Sequence, residues 1–272
     1  MADAGVADCA SCGRPRPGNY CAHCGEAAPH IASHGARRTL ARVRASLDAL
    51  ASPPGRLTRD WIEGRRVRYL APLPLFLYTN IAFFLIQWAS GVSVLSWPLR
   101  AHMASDILGI PAWLSRLYPG QQAMRQPQTI AVFDALEVVH AKALVIVMLP
   151  MFAVALLAAP LCGARRMRNA LTFSAHFYTY TLITLCALFP LVSLALRALA
   201  FAGVQPTPHA IDVIVSALQA LLLGGYLLPA LGTLTPWPLP LRLAYTLLLL
   251  GAVFLVLSIY HLIVFAATLV SL

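Results

Sequence analysis

Several stretches of this chain run for about twenty residues with almost no charge, the length an α-helix needs to cross roughly 30 Å of hydrocarbon. Such a stretch has little choice of structure. Lipid offers the backbone no water, so every N–H and C=O must be satisfied inside the segment, and a helix does that. Apolar residues make up 59% of the chain and charged ones 11%, against about a quarter charged in soluble domains. The sequence therefore predicts an all-α polytopic membrane protein of about five transmembrane helices.

The spans are read at residues 70–89, 141–162, 169–199, 211–231 and 241–270. Pro72 and Pro74 fit the first turn of the first span, where a missing N–H costs little. Pro190 should kink the third span or break it into two halves. Gly224 and Gly225 in the fourth would permit close helix approach. The segment before the second span mixes Trp, Tyr and isolated Arg, which suggests a surface-lying piece with a short amphipathic helix at 108–117. Asp134, Glu137, His140 and Lys142 stand at the outer end of the second span as solvated boundary charges.

Orientation follows from the basic residues, which are nineteen Arg and one Lys. Arg near spans is retained on the cytoplasmic side. Eleven Arg precede the first span, nine of them between Arg37 and Arg68. The N-terminus is thus expected in the cytoplasm and the C-terminus outside. No signal-like apolar core precedes the first span, so the N-terminal region is expected to stay where it is made. The net charge of +10 reads as topology and contact with anionic lipid through Arg37, Arg38, Arg42, Arg44, Arg65, Arg66 and Arg68. Nucleic acid is disfavoured, because the basic segment lacks interleaved aromatics.

Cys9-x-x-Cys12-Gly13 and Cys21-x-x-Cys24-Gly25 repeat one unit, a turn that aims two thiolates at a common centre and places Gly after the second. In a reducing compartment disulfides are not expected. Four thiolates make a closed tetrahedral site, so the reading is one structural Zn2+ on Cys9, Cys12, Cys21 and Cys24. A redox pair or an iron–sulfur cluster fits the spacing less well. His23, His30 and His34 are left to solvent. The domain reading is a cytoplasmic zinc ribbon at 1–35, a basic amphipathic segment at 36–69 and a transmembrane domain at 70–272. In the middle part Leu40, Val43, Leu47 and Leu50 share one helical face, which suits either the anionic leaflet or the protein's own inner face.

The order C-x-x-C-G, Y-C-x-x-C-G, Pro54-Gly55, Thr58, Gly64-Arg65-Arg66-x-Arg68-Tyr69-x-x-Pro72 resembles an uncharacterised bacterial family of zinc-ribbon multipass membrane proteins, a domain of unknown function. The later run "LPMFAVALLAAPLCGARRMRNALTFSAHFYTY" is similar to that family's second and third spans. The sequence departs from the pattern at Glu26, Ala170 and Tyr178. The absent His at 170 weakens any argument for a His-paired metal site in the membrane. The resemblance implies architecture and carries no activity.

Polar groups inside spans are costly and become functional candidates. His176, with Tyr180 four residues on, stands first; Asn80 and His261 follow. Each would otherwise make one interhelical hydrogen bond of roughly 1 kcal/mol. No catalytic triad order, HExxH, phosphate loop or dinucleotide motif is present, so an enzyme has no positive support. Two classes lead: an adaptor or assembly protein engaging a cytoplasmic partner, and a small transporter or lipid-binding protein with His176 and Asn80 lining a path. Oligomer formation is open to either.

Overall fold

The computed structural model of the protein describes residues 7–9, 12–26, 36–90, 95–104, 126–157 and 166–272. The described part is helical. α1 is Ala36–Ala51, α2 Arg56–Ile62, α3 Pro72–Ser90 and α4 Leu99–Ala104. α5, Pro127–Leu144, continues through one 3-10 turn, Val145–Val147, into α6, Met148–Leu156. α7 is Arg166–Phe201, α8 Pro208–Leu234 and α9 Leu239–Val270. Among the described residues, five helical segments are long and apolar enough to cross a membrane: Pro72–Ala89, Pro127–Leu156, Arg166–Phe201, Ala210–Leu234 and Leu239–Val270. The expected helix at 108–117 lies outside the described residues.

Two segments differ from the sequence reading. The second long helix begins at Pro127, well before Ala141, and so takes Asp134, Glu137 and His140 into its body. It can do so because backbone N–H groups and another imidazole meet those side chains, as described below. α7 passes through Pro190 as one helix, so of the kink or break expected there the break is absent. One missing donor removes a single i→i−4 bond, a small loss in a 36-residue helix.

The chain divides into two compact units, Met1–Phe83 with Leu156–Leu250, and Phe84–Ala155 with Gly251–Leu272. In the first, α2 packs on α7 and α8, and α1 packs on α2 and α7. Every position of α7 from Thr172 to Thr179 is buried, the pattern of a helix surrounded on all sides. α1 docks through Ser46, Ala49 and Leu50. The Ser46 hydroxyl donates to Arg42 O at 2.7 Å and accepts the Leu70 N–H at 2.9 Å, which satisfies a donor just before α3. Leu40 on the same helix is 70% exposed.

Among the described glycines the tightest approach to another backbone is at Gly55, which caps α2 in the left-handed conformation at φ 83°. A Cβ here would stand 2.9 Å from both Cα and the carbonyl oxygen of Ala230 in α8. Nearby, Thr233 donates its hydroxyl to Pro54 O at 2.9 Å. The approach expected of Gly224 and Gly225 is looser: at Gly224 the nearest atom is a Leu250 methyl at 3.5 Å, and at Gly225 nothing lies within 4 Å.

Gly55→Ala should therefore destabilise the protein by about 1–3 kcal/mol beyond the left-handed penalty. Gly203→Ala is the control, because Gly203 shares the positive φ of 78° but has open space around it. Thermal unfolding of the two variants in detergent measures the difference, and equal losses would show that the contact with Ala230 contributes nothing.

Candidate functional site

The N-terminal knob is built from two copies of one turn. In each, the N–H of the glycine donates to the carbonyl of the first cysteine at 2.8 Å, Gly13 to Cys9 and Gly25 to Cys21. Both glycines sit at positive φ, 70° and 74°, a conformation that would strain a residue with a Cβ. The turns fold the chain so that all four Sγ atoms lie within 4.8 Å of one another. Cys9 to Cys24 is 3.4 Å and Cys12 to Cys21 is 3.6 Å, far beyond a disulfide bond. This set could hold a metal ion. The Cys21 thiol is lowered to about 6, chiefly by the backbone N–H of Cys24 with help from that of His23, against the opposing effect of burial. His23 is exposed and accepts a hydrogen bond from Arg14 at 3.1 Å. His30 and His34 lie outside the described residues.

The knob rests against the turn after α2. Gly64, at φ 91°, would carry its Cβ 3.6 Å from Cys12 Cβ and 3.9 Å from His23 Nε2. Between the second knuckle and this turn lies a cleft of about 600 Å³ lined by His23, Cys24, Pro53, Arg56, Arg59, Asp60, Arg65, Arg68 and Tyr69. Asp60 organises its floor. Its Oδ1 accepts from Arg65 and its Oδ2 accepts the Tyr69 hydroxyl at 2.7 Å, while Arg56 stands 3.8 Å away. Burial by itself would raise the Asp60 carboxyl; the hydrogen bonds from Arg65 and Tyr69 and the charges of Arg65 and Arg56 outweigh it and hold the group below its ordinary value.

The remaining basic candidates are placed variously. Arg66 donates to Trp61 O at 3.0 Å and lies over the Trp61 ring. Arg42 donates to Val67 O at 2.7 Å. Arg44 is exposed and pairs only at 4.0 Å with Asp48. The side chains of Arg37 and Arg38 lie outside the described residues.

Of the intramembrane candidates, His176 is 0% exposed and shares a hydrogen bond of 2.9 Å with Thr58 of α2, itself 0% exposed. Its Nε2 is buried with no hydrogen-bond partner among the described residues. Tyr180 stacks on Tyr226 at 4.2 Å and reaches Leu222 O at 3.4 Å. Asn80 is half-buried, with Oδ1 unpartnered among the described residues. The sequence reading named Thr58 only as part of the family pattern and not as the partner of His176, because two residues 118 positions apart share no local signal.

The second unit holds a polar group in which Glu137 is 1% exposed and so is no solvated boundary charge. The segment before α4 lies over it. Trp97 N–H donates to Glu137 Oε1 at 3.0 Å and Leu99 N–H to Asp134 Oδ1 at 2.8 Å. His102 donates from Nε2 to Glu137 Oε1 at 2.8 Å. His261 stacks on Trp97 with centroids 4.5 Å apart and donates from Nδ1 to Leu257 O. His140 bonds Thr268, and Tyr260 donates to Ala141 O at 2.6 Å. The one-turn spacing of Asp134 and Glu137 was the available signal; that both face backbone donors was not.

Residues 41–84, from Ala41 in α1 to Phe84 in α3, match the model of a family described as "Protein of unknown function (DUF3667)". The matched stretch contains α2 and the arginines of the cleft, leaves out the four cysteines and covers well under half of the chain. No curated protein and no solved structure matches. The chain is thus similar, over its juxtamembrane segment and the start of its first long apolar helix, to a domain whose activity is unassigned.

Proposed function

We propose that the protein is a bacterial inner-membrane adaptor or assembly protein that presents a zinc-stapled basic platform to a cytoplasmic partner. The observation that carries this reading is the seating of the platform. Thr58 on His176 and Gly55 on Ala230 tie α2 to the long helices α7 and α8, and α1 and the knob rest on the α2 segment. A partner docking there would meet a surface of fixed shape rather than a tethered tail, which lowers the ordering cost of binding.

Zinc is the metal the donor set fits. Thiolates at about 2.3 Å from Zn2+ in a tetrahedron stand roughly 3.8 Å apart, close to the observed Sγ separations of 3.4 and 3.6 Å. When bound, the ion closes the knob and supplies folding free energy. The chain's own part is to hold the four sulfurs together and to stabilise thiolate at Cys21 through backbone N–H groups. The bond to Thr58 gives His176 a part in packing α2 on α7, which supports the adaptor reading over a path lined by His176 and Asn80.

A second reading, transport or lipid handling, is favoured by the buried Glu137–His102 pair, since paired ionisable groups within spans mark proton or substrate paths.

Purified protein should carry about one zinc per chain by elemental analysis, and replacing Cys9, Cys12, Cys21 and Cys24 together by Ser should abolish it. Cys186→Ser should leave it unchanged; iron in place of zinc would overturn the assignment. Reporter fusions should place residue 30 in the cytoplasm and residue 272 outside, and both ends on one side would refute that topology. For the second reading, proteoliposomes holding a pH-sensitive dye should show a proton flux that Glu137→Gln removes. A flux no greater than that of empty vesicles leaves the adaptor reading in front.

A further inference from the structure

The cleft beside the knob concentrates cations without matching anions. Arg56, Arg59, Arg65 and Arg68 line it, against the single carboxylate of Asp60. Arg65 is occupied by Asp60 and Glu63, and Asp60 also accepts from Tyr69. Arg59 and Arg68 are exposed and have no carboxylate partner among the described residues. Like charges gathered in a concave site repel one another and raise the local concentration of anions. The fold nevertheless holds the guanidiniums together, by an αL cap at Gly55 on one side and a positive-φ turn at Gly64 on the other.

All four cations are arginines, whose planar fork matches phosphate oxygens in pairs. A volume of about 600 Å³ lies in the range of small-molecule sites and exceeds what a bare phosphate needs. The position supplies the rest. Arg68 and Tyr69 lie just ahead of Pro72, the first residue of α3, so the lip of the cleft stands where the apolar helix begins, at the level of lipid headgroups. On α3 itself, Leu73, Leu77 and Ile81 are stacked a turn apart and exposed, an apolar track suited to acyl chains.

We propose that this cleft binds the phosphate-bearing headgroup of an anionic glycerophospholipid. Arg59 and Arg68 grip the phosphate, Arg56 adds to the field, and the Asp60–Arg65–Tyr69 group is the scaffold that fixes the cleft's shape. The inference rests on the membrane placement of α3 and is independent of any protein partner, so failure to recruit a partner would leave it standing.

The test is native mass spectrometry of the full-length detergent-solubilised protein titrated with phosphatidylglycerol, with phosphatidylcholine as neutral control and glycerol 1-phosphate as water-soluble competitor. Wild type should retain one phosphatidylglycerol at least tenfold more tightly than phosphatidylcholine. Arg59→Gln and Arg68→Gln should each weaken it about fivefold and the double variant roughly twentyfold. Arg44→Gln, outside the cleft, should not. Should the double variant elute as aggregate, Arg68→Gln alone decides, because that side chain makes no hydrogen bond or ion pair among the described residues. Equal retention of the two lipids, or unchanged retention in Arg68→Gln, overturns the proposal. Full displacement by glycerol 1-phosphate at the lipid's own concentration overturns the lipid assignment in favour of a soluble phosphate.

Discussion

The seating of α2 is the constraint on which the first unit depends. A seven-residue helix has too few hydrogen bonds to persist alone, and it sits at a membrane-adjacent position rich in arginine, where self-repulsion opposes it. It is held from outside its own sequence. Gly55 lets its first turn touch the backbone of Ala230, Thr58 bonds His176, and Leu57 is buried beside them. The threonine–histidine bond joins two groups that are both completely buried, so losing one partner strands the other at a cost of about 1–3 kcal/mol. Once α2 is fixed, the turn through Gly64 and the start of α3 have a defined position, and α1 can cap the Leu70 N–H through Ser46.

Charge is handled by the same economy. Asp60 is the acceptor that gathers Arg65, Tyr69 and, more loosely, Arg56. Its burial would be costly without them, and with them it becomes the fixed point around which a basic cleft keeps its shape. A salt bridge at the surface contributes little. Here the carboxylate has 9% of its side chain exposed, so its hydrogen bonds act as an organising device.

The second unit solves a different problem by similar means. The N–H groups of Trp97 and Leu99 at the entry of α4 have no helical partner, and Asp134 and Glu137, one turn apart on α5, accept them. His102 adds a second donor to Glu137 Oε1 from within α4. Leu99, Phe133, Phe265 and Leu269 form the apolar layer beside this group. Inside a long apolar helix, Asp134 Oδ1 and Glu137 Oε1 are met by backbone donors and an imidazole rather than by lipid.

Apolar run length by itself determined that this chain is helical and polytopic, because unsatisfied backbone in hydrocarbon costs too much for any other open structure. The two Cys-x-x-Cys-Gly units likewise determined that four sulfurs would converge, since their spacing and their glycines are local properties of a turn. What the tertiary structure decided is how the polar side chains are used. The sequence marked His176 as a costly residue and read Glu137 as a solvated boundary charge, without naming Thr58 or Trp97 and His102 as the groups that meet them. It marked Gly224 and Gly225 as close-approach sites when the approach falls at Gly55. Helix formation and metal-ligand turns are set by interactions within a few residues, which a linear pattern records. Partners separated by tens to more than a hundred positions along the chain leave no such pattern in a single sequence, so only the packed helices could assign them.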